Sequence, residues 1–231
     1  MSSSISYFPK HENPSASYHL IFLVTGNPGL ISYYGTFLRT LHQLLSETES
    51  VQDAFHIYGQ SLAGFGDIDT PSKSTGLPYS LEEQIETRIQ CLQNQRIRSG
   101  RRKGQAYDSI LLIGHSVGTY IILEMLQRLK RSPNLNIKAG ILLFPTVMHL
   151  VKSPRGVQLA PLFLIPGFAR GVGLVANVLT WLAPRSVVSW FARLVTGMPE
   201  DAVDITTRFL TSRMGVWQAL SVVLFVYMSK Y

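Results

Sequence analysis

The chain has 231 residues, a net charge of +7, 46% hydrophobic residues and only 15% charged ones. That length suffices for one α/β domain with a sizeable core, and the charge content is low for a purely soluble protein. The single cysteine, Cys91, excludes an intrachain disulfide and fits a reducing compartment. Nucleic acid is one reading of the positive charge, but its distribution argues otherwise. Between Glu124 and Glu200 there is no acidic residue, while nine Lys/Arg stand there among many Leu, Val, Phe and Trp. Basic and apolar residues in one stretch favour an anionic lipid surface over a phosphate backbone.

Taken in chain order, residues 1–17 are polar with Pro9 and Pro14, and read as a flexible tail without the apolar centre of a secretory signal. His19–Thr25 is a β-type run that leads into the turn Gly26-Asn27-Pro28-Gly29. Ile31–Leu45 has helical spacing of Tyr34, Phe37, Leu38, Leu41 and Leu45. Ala54–Tyr58 is a short strand, and Gly59–Pro78 a Gly/Ser/Asp loop. Leu81–Ile97 is helical, with Ser80 as N-cap and Glu82 and Glu83 in the first turn; Cys91 packs within it. A basic loop at 99–105 precedes a strand at 108–113, a tight turn at 114–118 and a helix at 117–131. Ile137–Phe144 is the next strand. Alternating strands and helices predict a mostly parallel, doubly wound sheet over 18–144.

From Pro145 the pattern changes. Pro154, Pro161, Pro166 and Pro184 stand among the apolar residues of 145–200, and Arg170, Arg185 and Arg193 break them into pieces too short to span a bilayer. This segment reads as a cap of amphipathic helices, a lid able to dock on lipid. Residues 201–231 read as an incomplete C-terminal part. Asp201 and Asp204 sit there in an expected helix, and Val216–Met228 is apolar and uncharged, a core helix or strand.

The chemistry concentrates at Gly114-His115-Ser116-Val117-Gly118. An apolar run enters this G-x-S-x-G pattern and a helix-compatible run leaves it, the context of a nucleophile elbow. Ser116 is the candidate nucleophile. A side chain at either glycine would clash with the neighbouring strand and helix. The Val117 N–H, at a helix N-terminus, can face a developing oxyanion, and the Asn27 N–H is the candidate second donor because Pro28 has none. A serine triad also needs a base and an orienting carboxylate, in the order Ser, acid, His on this architecture. After Ser116 the only histidine is His149, which precedes every acid but Glu124. His115 adjoins the nucleophile but points away, and His11, His19, His42 and His56 read as surface or packing residues. The sequence therefore offers a nucleophile and an oxyanion site without an acid–base pair. It shows no metal-ligand cluster and no phosphate loop, and no cofactor is expected.

Several stretches together resemble the lipid droplet-associated hydrolases, a branch of the α/β-hydrolase fold. They are LVTGNPGLISYYGTFL at 23–38, SLAGF at 61–65, YSLEEQIETRI at 79–89, LLIGHSVGTYIILEML at 111–126, LLFPTVMHLVKSPRGVQLAPLF at 142–163 and TSRMGVWQAL at 211–220. The GNPG-x-x-x-x-Y and FPT-x-x-x-x-x-x-SP-x-G blocks are more specific than the elbow alone. The resemblance implies a serine carboxylic ester hydrolase acting on neutral lipid or sterol esters, at lipid droplets and the cytoplasmic face of the endoplasmic reticulum. Ser116 matches the family nucleophile, and Asn27 lies in the matching turn. Family members continue past Leu220 into the strands that carry the acid and the histidine. Here the chain reads SVVLFVYMSKY. The expectation is a truncated or aberrantly ended chain that lacks those strands and is impaired in activity. Two alternatives stand beside it: a non-catalytic droplet-binding or regulatory protein, and an acyltransferase or thioesterase on the same fold.

Overall fold

The computed structural model describes residues 3–9, 15–48, 52–65, 76–130, 132, 135–146, 157–158, 161–162, 165–197, 199–212 and 214–228. Among the described residues five strands form one sheet: β1 (Ser4–Tyr7), β2 (Ser17–Val24), β3 (Asp53–Gln60), β4 (Ser109–His115) and β5 (Ile137–Leu143). Their order is β1-β3-β2-β4-β5. β2, β3, β4 and β5 run parallel, and β1 pairs antiparallel with β3. Among the described residues seven α-helices with stated bounds accompany them: α1 (Gly35–Thr48), α2 (Leu81–Gln93), α3 (Val117–Leu129), α4 (Phe168–Leu182), α5 (Arg185–Thr196), α6 (Glu200–Leu210) and α7 (Gly215–Met228). A 3-10 turn at Ile31–Tyr34 leads into α1.

β2 is central, so both its faces are covered and its sequence SYHLIFLV is almost continuously apolar. Leu20, Phe22 and Val24 join one core with Ile85, Ile89, Leu92, Ile121, Ile122 and Met125 of α2 and α3. Ile21 and Leu23 face the other way and join Leu38 of α1, with Ile57 and Ile113 from the flanking strands. The period-2 alternation of side chains thus distributes one strand between two cores. α2 begins with a full capping box: the Ser80 side chain accepts from the Glu83 N–H, and the Glu83 carboxylate accepts from Ser80.

Two elements differ from the sequence expectation, and a third, expected as a helix or a strand, is decided by the structure. Residues 4–7 form β1 where a flexible tail was expected, because the exposed edge of β3 offers a complete row of backbone partners from Ile57 to Gln60. The helix expected from Ile31 starts as a 3-10 turn, and the α-helix begins at Gly35. The last apolar segment is a helix, α7, held by tertiary contacts. A Cβ on Gly173 of α4 would lie 2.8 Å from the Trp217 Cβ, so the two helix backbones approach closely there. Gln218, 1% exposed, accepts from the Tyr79 N–H at 2.7 Å and donates to its carbonyl at 2.9 Å.

His56 is buried in β3, stacked on Phe8 and hydrogen-bonded to Ser6 and Tyr107. Burial first, and then the positive charge of Arg98, pull its pKa down to about 4. An unfolded histidine has a pKa near ~6.5, so below that the unfolded chain binds the extra proton first. Stability is therefore full above pH ~6.5 and declines as pH falls toward 4, by about 3 kcal/mol for this group. Urea midpoints at pH 7 and pH 4.5 should differ accordingly, and His56→Gln should flatten that difference.

Candidate active site

Ser116 stands between β4 and α3 with φ 50° and ψ −120°, a left-handed conformation that a serine adopts only when its surroundings impose it. Such a residue stores about 1–3 kcal/mol of strain. The constraint comes from both ends. The Ser116 N–H donates to the Leu143 carbonyl of β5 at 2.9 Å. Its carbonyl accepts from the Thr119 N–H at 2.9 Å and from Thr119 Oγ1 at 2.6 Å. The flanking glycines are sterically required. A Cβ on Gly114 would lie 2.6 Å from the Gly118 carbonyl oxygen, and one on Gly118 would meet the carbonyl oxygens of Val24 and Thr25.

β2 lies beside β4, with Val24 in register with Gly114, so the turn after β2 abuts the elbow. A Cβ on Gly26 would sit 3.1 Å from the Ser116 Cβ. The Gly26 N–H donates to the Tyr34 phenol oxygen at 2.8 Å, and that phenol is 2.8 Å from His115 Nδ1. One hydrogen, carried by the phenol or by the ring, lies between the two. Burial lowers the His115 pKa, in keeping with a neutral ring. His115 thus ties the turn to the elbow.

Asn27 occupies the next position. Its side-chain Nδ2 donates to the Ala219 carbonyl of α7 at 2.9 Å, which anchors the turn to the C-terminal helix. Among the described residues its backbone N–H has no hydrogen-bond partner. The Val117 N–H is the first of α3, where no intrahelical acceptor exists. Both N–H groups are thus without an acceptor among the described residues.

The Ser116 hydroxyl lies 3.0 Å from the Thr146 hydroxyl. Thr146 is held in turn, because its N–H donates to Thr119 Oγ1 at 3.3 Å. Phe144, 81% exposed and also at positive φ, packs edge-on against His115 and gives this mouth an apolar side. Sequence reading assigned no role to Tyr34, Thr119 or Thr146. Tyr34 and Thr146 do sit inside the GNPG-x-x-x-x-Y and FPT blocks, and that was the available signal.

Among the described residues no histidine or carboxylate side chain hydrogen-bonds to Ser116. His19 binds Ser109 and Asp53 at the opposite end of the sheet, and His42 stacks on Tyr7. Asp108 is bound to Arg102; Glu82, Glu86 and Glu124 surround Arg128. Glu200 pairs with Arg193 and Asp204 with Arg208. His149 and the Asp201 side chain lie outside the described residues. A concavity of about 560 Å³ between α5 and α6 includes neither Ser116 nor Asn27. Among the described residues no cluster of His, Cys, Asp or Glu has the arrangement of a metal site.

A mostly parallel sheet clothed by helices on both faces, with a strained strand–turn–helix serine at the C-terminal end of a central strand, defines an α/β-hydrolase fold. Juvenile hormone epoxide hydrolase from the silkworm Bombyx mori superposes with a TM-score of 0.50 at 12% identity, covering 97% of this chain and 53% of that one. Residues 17–224 match the family model of the lipid-droplet associated hydrolases, and the chain belongs to that family. The lipid droplet-associated hydrolase of Gallus gallus is 32% identical over 156 residues, 66% of this chain and 44% of that protein. That of Homo sapiens is 33% identical over 149 residues, 62% of this chain and 42% of that protein. The chain thus matches less than half the length of these curated relatives.

Proposed function

We propose that this chain carries the nucleophile and oxyanion half of a serine ester hydrolase whose substrates are neutral lipid or sterol esters at a lipid surface. The observation that carries this reading is the conformation of Ser116, at φ 50° between two obligatory glycines and at the N-terminus of α3. Ser116 Oγ would attack the ester carbonyl carbon. The carbonyl oxygen would take up negative charge and be held by the N–H groups of Val117 and Asn27. Collapse of that intermediate would expel the alcohol with a proton and leave an acyl-serine, which water then cleaves to the carboxylic acid. Thr146 positions the hydroxyl in the resting site. The base that takes the serine proton falls outside the described residues.

The lipid surface is supported by the lid. α4 and α5 present Leu174, Val175, Val178, Leu179, Trp181, Trp190, Phe191 and Leu194 to solvent, an outward apolar face where a helix of a soluble domain is polar. Arg170, Arg185 and Arg193 lie among them without an acidic residue on either helix. Among the described residues no helix is long and apolar enough to cross a membrane. α4, 15 residues long, would lie along an interface. Lipid droplets, and by the family resemblance the cytoplasmic face of the endoplasmic reticulum, are the proposed locations.

A fluorophosphonate probe tests the nucleophile. It should label the protein, complete with its base, at Ser116, and Ser116→Ala should abolish the label. Equal labelling of both would overturn the assignment of Ser116. A second reading, a non-catalytic lipid-binding protein, is favoured by the lack of a histidine or carboxylate on Ser116 among the described residues. It predicts no labelling of either protein, with lipid binding intact. Acyl transfer to an acceptor other than water uses the same nucleophile and donors, and product analysis would separate it from hydrolysis.

A further inference from the structure

A second concavity, of about 490 Å³, lies at the C-terminal end of β3, against α2. β2 separates it from the elbow strand, and it includes none of the residues placed around Ser116. Its lining includes Tyr58, Gln60, Arg88, Cys91, Gln95 and Arg98. Two of these are arginines, and among the described residues no carboxylate lines it.

Arg88 is 2% exposed. A guanidinium presents five N–H donors. Among the described residues Arg88 makes one hydrogen bond, from Nη1 to the Gln60 carbonyl at 3.3 Å, and its Nε is buried without a partner. No carboxylate among the described residues pairs with it. The acids of its own helix are directed elsewhere: Glu82 and Glu86 bind Arg128, and Glu83 closes the helix cap. A charge withdrawn from water without a counter-ion is costly, and natural proteins pair it or give it a ligand. Burial accordingly pulls the Arg88 pKa below its ordinary value. The adjacent Tyr58 phenol supplies no negative charge near neutral pH, since burial foremost pushes it up to about 12. Gln95 completes the set. It is 6% exposed, its Nε2 donates to the Cys91 carbonyl, and its Oε1 is buried without a partner.

We propose that this cavity binds a phosphate group, free or as a monoester, with Arg88 and Arg98 as its cationic partners and Gln95 Oε1 accepting its hydroxyl. Hydrogen phosphate and protonated phosphate monoesters carry both negative oxygens and an O–H donor. A carboxylate carries only the former and leaves Gln95 unsatisfied. The site is independent of the chemistry assigned to Ser116.

The test uses the whole chain, titrated with inorganic phosphate, with dihexanoyl phosphatidic acid below its micellar concentration, and with acetate at matched ionic strength. Thermal unfolding and calorimetry are the readouts. Saturable stabilisation by a phosphate probe, weakened about tenfold in Arg98→Ala and lost in Arg88→Met, is the expected result. Arg98 is exposed, so its substitution leaves the fold intact even if Arg88→Met does not fold. A response to inorganic phosphate supports a free phosphate as the occupant, and a response confined to phosphatidic acid supports a lipid headgroup. Acetate acting as well as phosphate would overturn the proposal. So would the lack of any saturable response, or a response unchanged in Arg98→Ala.

Discussion

Gly118→Val is expected to destabilise the protein by about 4 kcal/mol or more, a large share of the ~5–15 kcal/mol that stabilises a folded domain. The first atom of any side chain at this position would press on the carbonyl oxygens of Val24 and Thr25. Both residues are fully buried, and β2 is hydrogen-bonded to a strand on each side, so the obstacle cannot move away. The alternative is to lift α3 off the sheet, which would loosen Ile121, Ile122 and Met125, all of them fully buried. Overpacking in cores usually costs about 1–3 kcal/mol because side chains yield; here the opposing atoms are backbone. Gly171 in α4 provides the contrast, with nothing within 4 Å of its would-be Cβ. Gly171→Ala should stabilise by up to about 1 kcal/mol through helix propensity alone. Urea midpoints of the two variants check both expectations. A Gly118→Val protein within about 0.5 kcal/mol of wild type would mean that the close approach of α3 to β2 is not maintained in solution.

The second large effect concerns the lid. Trp181 and Trp190 are 83% and 64% exposed, and each offers about 150–250 Å² of surface that an interface could cover. At about 25 cal/mol per Å², covering even half of one such ring is worth about 2–3 kcal/mol. Replacing both by glutamate removes that gain and places two anions among the cationic residues Arg185 and Arg193. Binding to vesicles of phosphatidylcholine with phosphatidylserine should weaken at least about a hundredfold, since each ~1.4 kcal/mol is tenfold. Neither tryptophan contributes to the buried core, so the double variant should unfold at the same urea concentration as wild type. Flotation of the vesicles with bound protein provides the measurement. Wild-type and doubly substituted protein floating equally would remove the lid from lipid binding. Raising the salt concentration separates the contributions: the cationic part weakens with screening and the apolar part does not.

These two effects belong to different levels of the same sequence. The Gly118 effect is implicit in a five-residue pattern, because an elbow needs a strand, a turn that only strain can hold, and a helix, in immediate succession. The lid effect depends on which face of each helix the rest of the protein covers. Val188 and Ala192 of α5 are buried, while Trp190, Phe191 and Leu194 are left outside. Composition announced an apolar and basic stretch, but only packing decides which of its side chains remain available to lipid.

The sequence by itself determined what local rules govern. The four parallel strands follow from apolar runs of the right length, α2 from Ser80 and the glutamates behind it, and the elbow from Gly114, Ser116 and Gly118. Each of these arises from residues within a few positions of one another, where propensity, capping and backbone sterics act. The tertiary structure alone decided the rest. Tyr34 meets His115 across 81 positions, Asn27 meets Ala219 across 192, and Gln218 meets Tyr79 across 139. The pairing of β1 with β3, the helical form of α7, the contact of Thr146 with Ser116 and the burial of Arg88 without a carboxylate among the described residues arise in the same way. The physical reason is common to all of them. A hydrogen bond or a close packing contact is short-ranged in space but indifferent to distance along the chain, so it exists only once strand order and crossover have brought its two ends together.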